Sequence, residues 1–188
     1  MIRLRIKIFI LICSALLITL ITYYYLIEIK NPDITGYVTD KRDNEVLIVS
    51  SERETSEGGE FYDACWVKIP SQNRIIRNPQ IGQKVQAKFG YAIVERSHPG
   101  RARAKKLFVI PRGKYPGASL SEDEVIKTAL DVLNIHRLRV IENIEFNNNN
   151  LQWSVTLINL RVLEEDDSQT DIVFIDDISK EVIKVIKK

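Results

Sequence analysis

The residue types that carry most nucleophilic and metal chemistry are scarce here: two cysteines and two histidines in 188 residues. Cys13 lies inside an apolar run near the N-terminus, which leaves Cys65 as the one cysteine beyond it. A single cysteine makes no intrachain disulfide, so the chain past that run must be held by its core. A structural zinc site built of cysteines is excluded on the same count. Cys65, within Ala64-Cys65-Trp66-Val67, reads as a small buried hydrophobe. His98 precedes Pro99-Gly100 and reads as a turn residue; His136 follows a helical pattern and reads as a surface group or a partner of the helix dipole. Ser97 beside His98 is no nucleophile–base pair by sequence alone. There is no Gly-x-Ser-x-Gly elbow, His-Glu-x-x-His, phosphate-cradling glycine loop or dinucleotide fingerprint. Glu164, Glu165, Asp166, Asp167 and Asp171 offer oxygen ligands for a divalent cation, but without EF-hand spacing they read as a solvated acidic loop. The expectation is a protein that is not an enzyme, with no catalytic residue, no metal ligand and no cofactor.

What the chain does have is a long apolar run, from Ile8 through Leu17 to Ile27, free of charge and preceded by Arg3, Arg5 and Lys7. About 20 apolar residues at a rise of ~1.5 Å span ~30 Å, the hydrocarbon thickness of a bilayer. Three basic residues and no acidic one place Met1 in the cytoplasm, and Tyr23, Tyr24 and Tyr25 mark the opposite interface. A cleaved signal peptide shares the basic start, but its apolar segment is ~7–15 residues and ends in a small-x-small site. A lipoprotein signal at Cys13 would need a small residue where Ile12 stands. Residues 1–29 are therefore expected to be a cytoplasmic stub and an uncleaved single-pass anchor in the cell membrane, with everything after them extracytoplasmic.

Beyond the anchor the charge is unevenly shared. Residues 28–116 carry 16 Lys+Arg against 11 Asp+Glu, while residues 117–188 carry 8 against 14. The asymmetry suggests two units, attracted to each other or to a polyanion, although two ordinary solvated surfaces would have the same totals. In residues 33–115, short strand patterns alternate with turn residues. Ile34–Thr39 and Glu45–Ser50 flank the polar turn at residues 40–44; residues 51–59 read as a mobile loop, and Ala64–Ile69 as a third strand. Gln83–Phe89 alternates Val85, Ala87 and Phe89 against Lys84, Gln86 and Lys88, and Arg101–Ile110 closes the set. Five or six short strands without a helix predict a small OB-like β-barrel. Its cationic cluster is Arg101, Arg103, Lys105 and Lys106, joined by Arg112 and Lys114. Nucleic acid would want stacking aromatics there, and Phe89, Tyr91 and Phe108 are near in sequence. An extracytoplasmic location argues against nucleic acid, and favours anionic wall polymer, lipid headgroups or an envelope protein as partners.

In residues 117–188, Ser121 and Glu124 form a capping box ahead of Val125, Ile126, Ala129, Leu130, Val132 and Leu133 at helical spacing, with Asn134 as the C′ residue. Strand patterns follow: Leu138 to about Phe146, Leu151–Arg161 after a turn of four asparagines, Ile172–Ile175, and Val182–Ile186. Helix then four antiparallel strands is an α+β unit. The predicted fold class is therefore β plus α+β: an N-terminal transmembrane helix, a small OB-like β-barrel, then a helix packed on an antiparallel four-stranded sheet.

Two resemblances attach to these residues. Gly36-Tyr37-Val38, Val46–Val49, Trp66, residues 81–85, and Ser97-His98-Pro99-Gly100 followed by Ala102, Ala104 and Lys106 resemble the YobA-like domain of unknown function 3221. That resemblance implies a secreted or membrane-attached protein of spore-forming Gram-positive bacteria, with no established activity. The family as usually met is lipid-anchored, and this chain lacks a lipobox. Trp153 with Val155, Val173–Asp176 and Val182-Ile183 resemble a PepSY-type domain, with Ser179-Lys180 where Thr-Gly is common. Similar domains accompany proteases or occur in envelope proteins, which implies a binding or inhibitory module. The expected role is a non-enzymatic binding or regulatory protein of the Gram-positive cell envelope, or alternatively a regulator of an envelope peptidase. A cell-wall hydrolase would need clustered acids in a cleft, for which Glu95 and Asp63 are stray candidates.

Overall fold

The computed structural model describes residues 13–20, 32–56, 59–69, 78–95, 98–133, 138–160 and 169–188. Residues 13–20 are helical, with Leu16, Leu17, Ile18 and Leu20 exposed. No helix among the described residues is long and apolar enough to cross a membrane. The expected transmembrane helix thus has no described helix to support it, and Ile8, Ile27 and most of that run lie outside the described residues. The chain divides into two compact units, Met1–Pro32 and Asp33–Lys188.

Within the second unit, β1 (Ile34–Arg42), β2 (Glu45–Ser56), β3 (Gly59–Lys68), β4 (Lys84–Glu95) and β5 (Gly100–Val109) close a barrel in the order β1-β2-β3-β5-β4. Every pairing is antiparallel except β3 with β5. Alternating residues fill the interior, among them Val38, Val46, Ile48, Val67, Val85, Ala87 and Leu107. Closure requires β1 to cross β2 closely, and Gly36 makes that possible: a Cβ there would sit 2.2 Å from the Val49 carbonyl oxygen. Two expectations change. The β1–β2 connection is the two-residue turn Asp43-Asn44, with Asp43 left-handed at φ 44. The expected mobile loop at residues 51–59 is mostly strand, because the β2–β3 hairpin runs on to Ser56 and Gly59. Arg53 ties that extension together, donating to the Tyr62 hydroxyl at 2.6 Å and to Glu60 at 3.0 Å.

The helix α1 (Glu122–Val132) starts at the expected capping box: Ser121 N–H donates to Glu124 Oε2 at 2.9 Å, and Glu124 N–H to Ser121 Oγ at 3.4 Å. Val125, Ile126, Ala129 and Leu130 are buried, whereas Val132, expected on the same face, is 50% exposed. Its expected C′ residue, Asn134, lies outside the described residues. The antiparallel sheet β6 (Leu138–Asn147), β7 (Gln152–Leu160), β8 (Gln169–Asp176), β9 (Val182–Lys187) follows in sequence order. The helix covers one face, over Ile141, Trp153, Val155, Leu157, Val173 and Ile175.

A bulge between Ile141 and Asn143 separates two parts of β6. Before it, Leu138 and Val140 turn to the face opposite the helix. There, with Ile158, they pack on the outer side of β2 and β3 against Leu47, Val49, Tyr62, Ala64 and Trp66. The sheet is thus covered by a helix on one face and, at one end, by the barrel on the other. Burying each such large apolar side chain contributes about 1.5–3 kcal/mol.

Candidate anion-binding face

On β5 the alternation is the one the sequence predicts: Ala102 and Ala104 face the barrel interior, while Arg101, Arg103 and Lys105 are exposed. The pattern then shifts. Phe89 is paired with Ala104 but Lys88 with Lys106, so β5 carries one extra residue, Lys105, at that step. A bulge of this kind re-aims the side chains beyond it. Lys105 and Lys106 become consecutive cations on the outside, and Leu107 takes over the inward position. Along the parallel neighbour β3, Arg101 lies beside Trp66 and Arg103 beside the exposed Lys68. Residues two apart on a strand are about 6.6 Å apart and adjacent strands about 4.8 Å. Arg101, Arg103, Lys105 and Lys106 are therefore brought to one outer face, together with Lys68.

This face is not uniformly basic. Lys88, across from Lys106, pairs with Asp33 at 2.8 Å. Burial pushes the Asp33 carboxyl up, but the Lys88 ammonium and the Phe89 N–H outweigh it and hold it below its ordinary value. Toward β2, the Arg42 guanidinium lies 4.4 Å above the Trp66 ring, a cation–π contact at the edge of the covered β2–β3 surface.

The five-stranded barrel whose β2–β3 side and neighbouring loops bind oligonucleotides is the OB-fold. In this chain that side is occupied by β6 and β7. Of the nearby aromatics, Phe89 packs into the barrel interior, Phe108 falls on the outer face of β5 two residues beyond Lys106, and the Tyr91 side chain lies outside the described residues. Residues 35–111 match the family described as "Protein of unknown function (DUF3221)". The match runs from the second residue of β1 to just past β5 and so coincides with the barrel. No curated protein matches, and no solved structure does. The basic strand accordingly lies within the matched residues, while α1 and β6–β9 lie beyond them.

The remaining candidates are dispersed. Cys65 is buried in the barrel, and burial, helped by the nearby Asp63 charge, pushes its thiol up to about 12. Its sulfur is a packing atom. His98 lies 2.9 Å, through Nε2, from the Tyr62 carbonyl oxygen, as a turn residue anchored to β3. Asp63 is half-buried on β3, and the Glu95 side chain lies outside the described residues, as do His136 and Glu164–Asp167. Asp171, expected in the acidic loop, is instead buried within β8. No group of three or more His, Cys, Asp or Glu suited to a metal occurs among the described residues.

Two clusters in and around the linker were not legible from spacing. Arg112 donates to the Tyr37 hydroxyl and pairs with Glu122, joining β1 to the start of α1. Asp177, fully buried after β8, accepts from the Ser119 N–H at 2.6 Å, the Leu120 N–H at 2.9 Å and Trp153 Nε1 at 2.8 Å. Burial pushes this carboxyl up, but the three donors more than offset it and hold it below its usual range.

Proposed function

We propose that this chain is a non-enzymatic, single-pass membrane-anchored extracytoplasmic protein of the Gram-positive cell envelope. It binds an anionic surface through the outer face of β5. The observation that carries the reading is the row of exposed Arg101, Arg103 and Lys105, with Lys68 alongside on β3. Several cations on one face of a rigid strand raise the local concentration of a polyanion within about a Debye length, ~8 Å at physiological salt. Wall polymer and lipid headgroups share the phosphate chemistry that arginine forks and lysine ammonium groups take. The exposed leucines and isoleucine of residues 13–20 agree with an apolar anchor. Sedimentation of the unit Asp33–Lys188 with isolated cell walls and with anionic vesicles, across a salt series, tests the reading. Binding that weakens with salt, and is lost when Arg101, Arg103, Lys105 and Lys106 become Ser, is the expected result. Salt-independent binding, or none to either surface, would refute it.

A second reading rests on β9. It is the last strand in the sheet order, and Ile183 on it is 54% exposed. An open strand edge can accept an extended peptide by main-chain pairing. On this reading the PepSY-like half holds a segment of an envelope peptidase and restrains it. A peptidase recovered with the full chain, and inhibited by it, supports this; proline placed at Ile183 should then abolish inhibition.

A further inference from the structure

Among the described residues, the antiparallel sheet ends in β6 on one side and β9 on the other, each paired with one neighbour. The helix α1 lies over β7, β8 and β9, and the barrel covers β6 at Leu138 and Val140. Past the bulge, β6 exposes Glu142 and Glu145, with Ile144 and Phe146 half-buried. On β9 the exposed residues are Ile183, Lys184 and Lys187. One margin of the sheet is thus acidic and the other basic. Unlike charges set opposite each other across strands stabilise a pairing, and like charges destabilise it. Joining β6 to β6 of a second copy brings acids together, and joining β9 to β9 brings lysines together. Only β9 against β6 joins unlike charges.

The backbone phase fits the same pairing. Thr170 and Lys188 exchange both N–H···O bonds, at 3.0 and 2.8 Å. Hydrogen-bonded positions alternate along an antiparallel strand, so Val185 and Lys187 turn their main-chain groups outward from β9. On β7, the bond from the Asp177 N–H to the Leu151 carbonyl oxygen aims Trp153 and Val155 at β8, and so aims Ser154, opposite Glu145, at β6. Ile144 and Phe146 are then the outward positions of β6, and the Ile144 N–H is taken by Asn143 Oδ1 at 2.9 Å. With Ile144 set opposite Val185, an antiparallel register puts Glu145 opposite Lys184, Glu142 opposite Lys187 and Phe146 opposite Ile183. Glu145 and Lys184 share the face away from α1, in the row of Ser154 and Phe174, while Ile144 and Val185 share the helix face. Asn143, opposite Ile186, is the mismatch, and its Oδ1 must release the Ile144 N–H. In this register β9 lies along residues 142–147 of β6 and clears the part that the barrel covers.

We propose that the partner of this sheet is a second copy of the chain, β9 of one copy extending the sheet at β6 of the next. The contact is head to tail, so it leaves one margin of each kind free at the ends and does not close at two copies. It is independent of the basic face of β5 and competes with any peptide for β9. Sedimentation velocity of the full chain in detergent, from about 1 µM to 1 mM, should show mass rising with concentration beyond a dimer and falling with added salt. Glu145→Lys and Lys184→Glu, both at exposed side chains, should each weaken association ~5-fold or more without altering the melting temperature. An equimolar mixture of the two variants should restore it, because each then meets the opposite charge on the other. Arg101→Ser should leave association unchanged. Absence of association at the highest concentration, growth that stops at a dimer, or association untouched by both charge reversals overturns the pairing. A mixture no better than its parts, or a loss on Arg101→Ser as large as on Glu145→Lys, overturns it as well.

Discussion

Replacing Asp177 by Ala is the sharpest probe of how the second half of the unit is held. Its carboxylate satisfies three donors from three places: the Ser119 and Leu120 N–H groups ahead of α1, and Trp153 Nε1 on β7. All three lose their acceptor on truncation, at a site with no solvent exposure. A hydrogen bond to a charged group is worth about 1.5–3 kcal/mol, and losses within one network are not additive. A cost of about 3–5 kcal/mol is therefore expected, a large share of the ~5–15 kcal/mol stability of an ordinary domain. Urea unfolding of Asp33–Lys188, followed by tryptophan fluorescence, measures it. The pH dependence has a defined sign. The folded carboxyl titrates below its unfolded value of ~3.9. Its contribution is therefore fully present above that value and is lost as pH falls through the lower, folded pKa. The wild type should lose stability in that acid window more steeply than Asp177→Ala. A cost below about 1 kcal/mol, or identical acid profiles for the two proteins, would refute the latch.

Other substitutions test other joints. Gly36→Ala forces a Cβ to 2.2 Å from the Val49 carbonyl oxygen, a backbone atom that moves only with its strand. A loss of about 3 kcal/mol or more, or failure to close the barrel, should appear in thermal melts. Ile158→Ala removes a 5%-exposed side chain packed between the sheet and β2–β3. It should cost about 2–4 kcal/mol and speed proteolysis of the linker near Pro116. In a Cys13→Ser chain, the buried Cys65, with its thiol raised to about 12, should resist a thiol reagent at pH 8 until denaturant is added. Prompt labelling of the folded protein would contradict its burial.

Local features were the most legible in sequence. The capping box at Ser121 and Glu124 depends on residues three apart, and the Ala102/Ala104 alternation on residues two apart, so each is written where it acts. The barrel–sheet contact is different, because it joins β2 to a strand some 90 residues later. A trace of it was nonetheless present. Val46-Leu47-Ile48-Val49 is apolar without interruption, where a strand with one solvated face would alternate, and all four are buried; in Leu138-Arg139-Val140-Ile141 the charge of Arg139 hides the same burial. An unbroken apolar run signals cover on both faces. The bulge at Lys105 has no such trace, since a lysine pair fits any exposed strand. Tyr115 and Phe146 border one cleft only because Asp177 and Trp153 bring the linker to the β6–β7 hairpin. No spacing rule joins a linker residue to a hairpin across a latch of that kind.

The covered side of β2–β3 also bears on how this architecture changes over generations. Leu47, Val49 and Trp66 are matched to Leu138, Val140 and Ile158. An enlarged side chain on one partner is therefore tolerated only with a smaller one on the other. Compensating replacements should pair across the boundary near Pro116, tying the rate of change of the barrel to that of a sheet outside the family match. A barrel transplanted alone into another chain would bear an uncovered apolar patch and would need a new cover of the same shape to stay soluble.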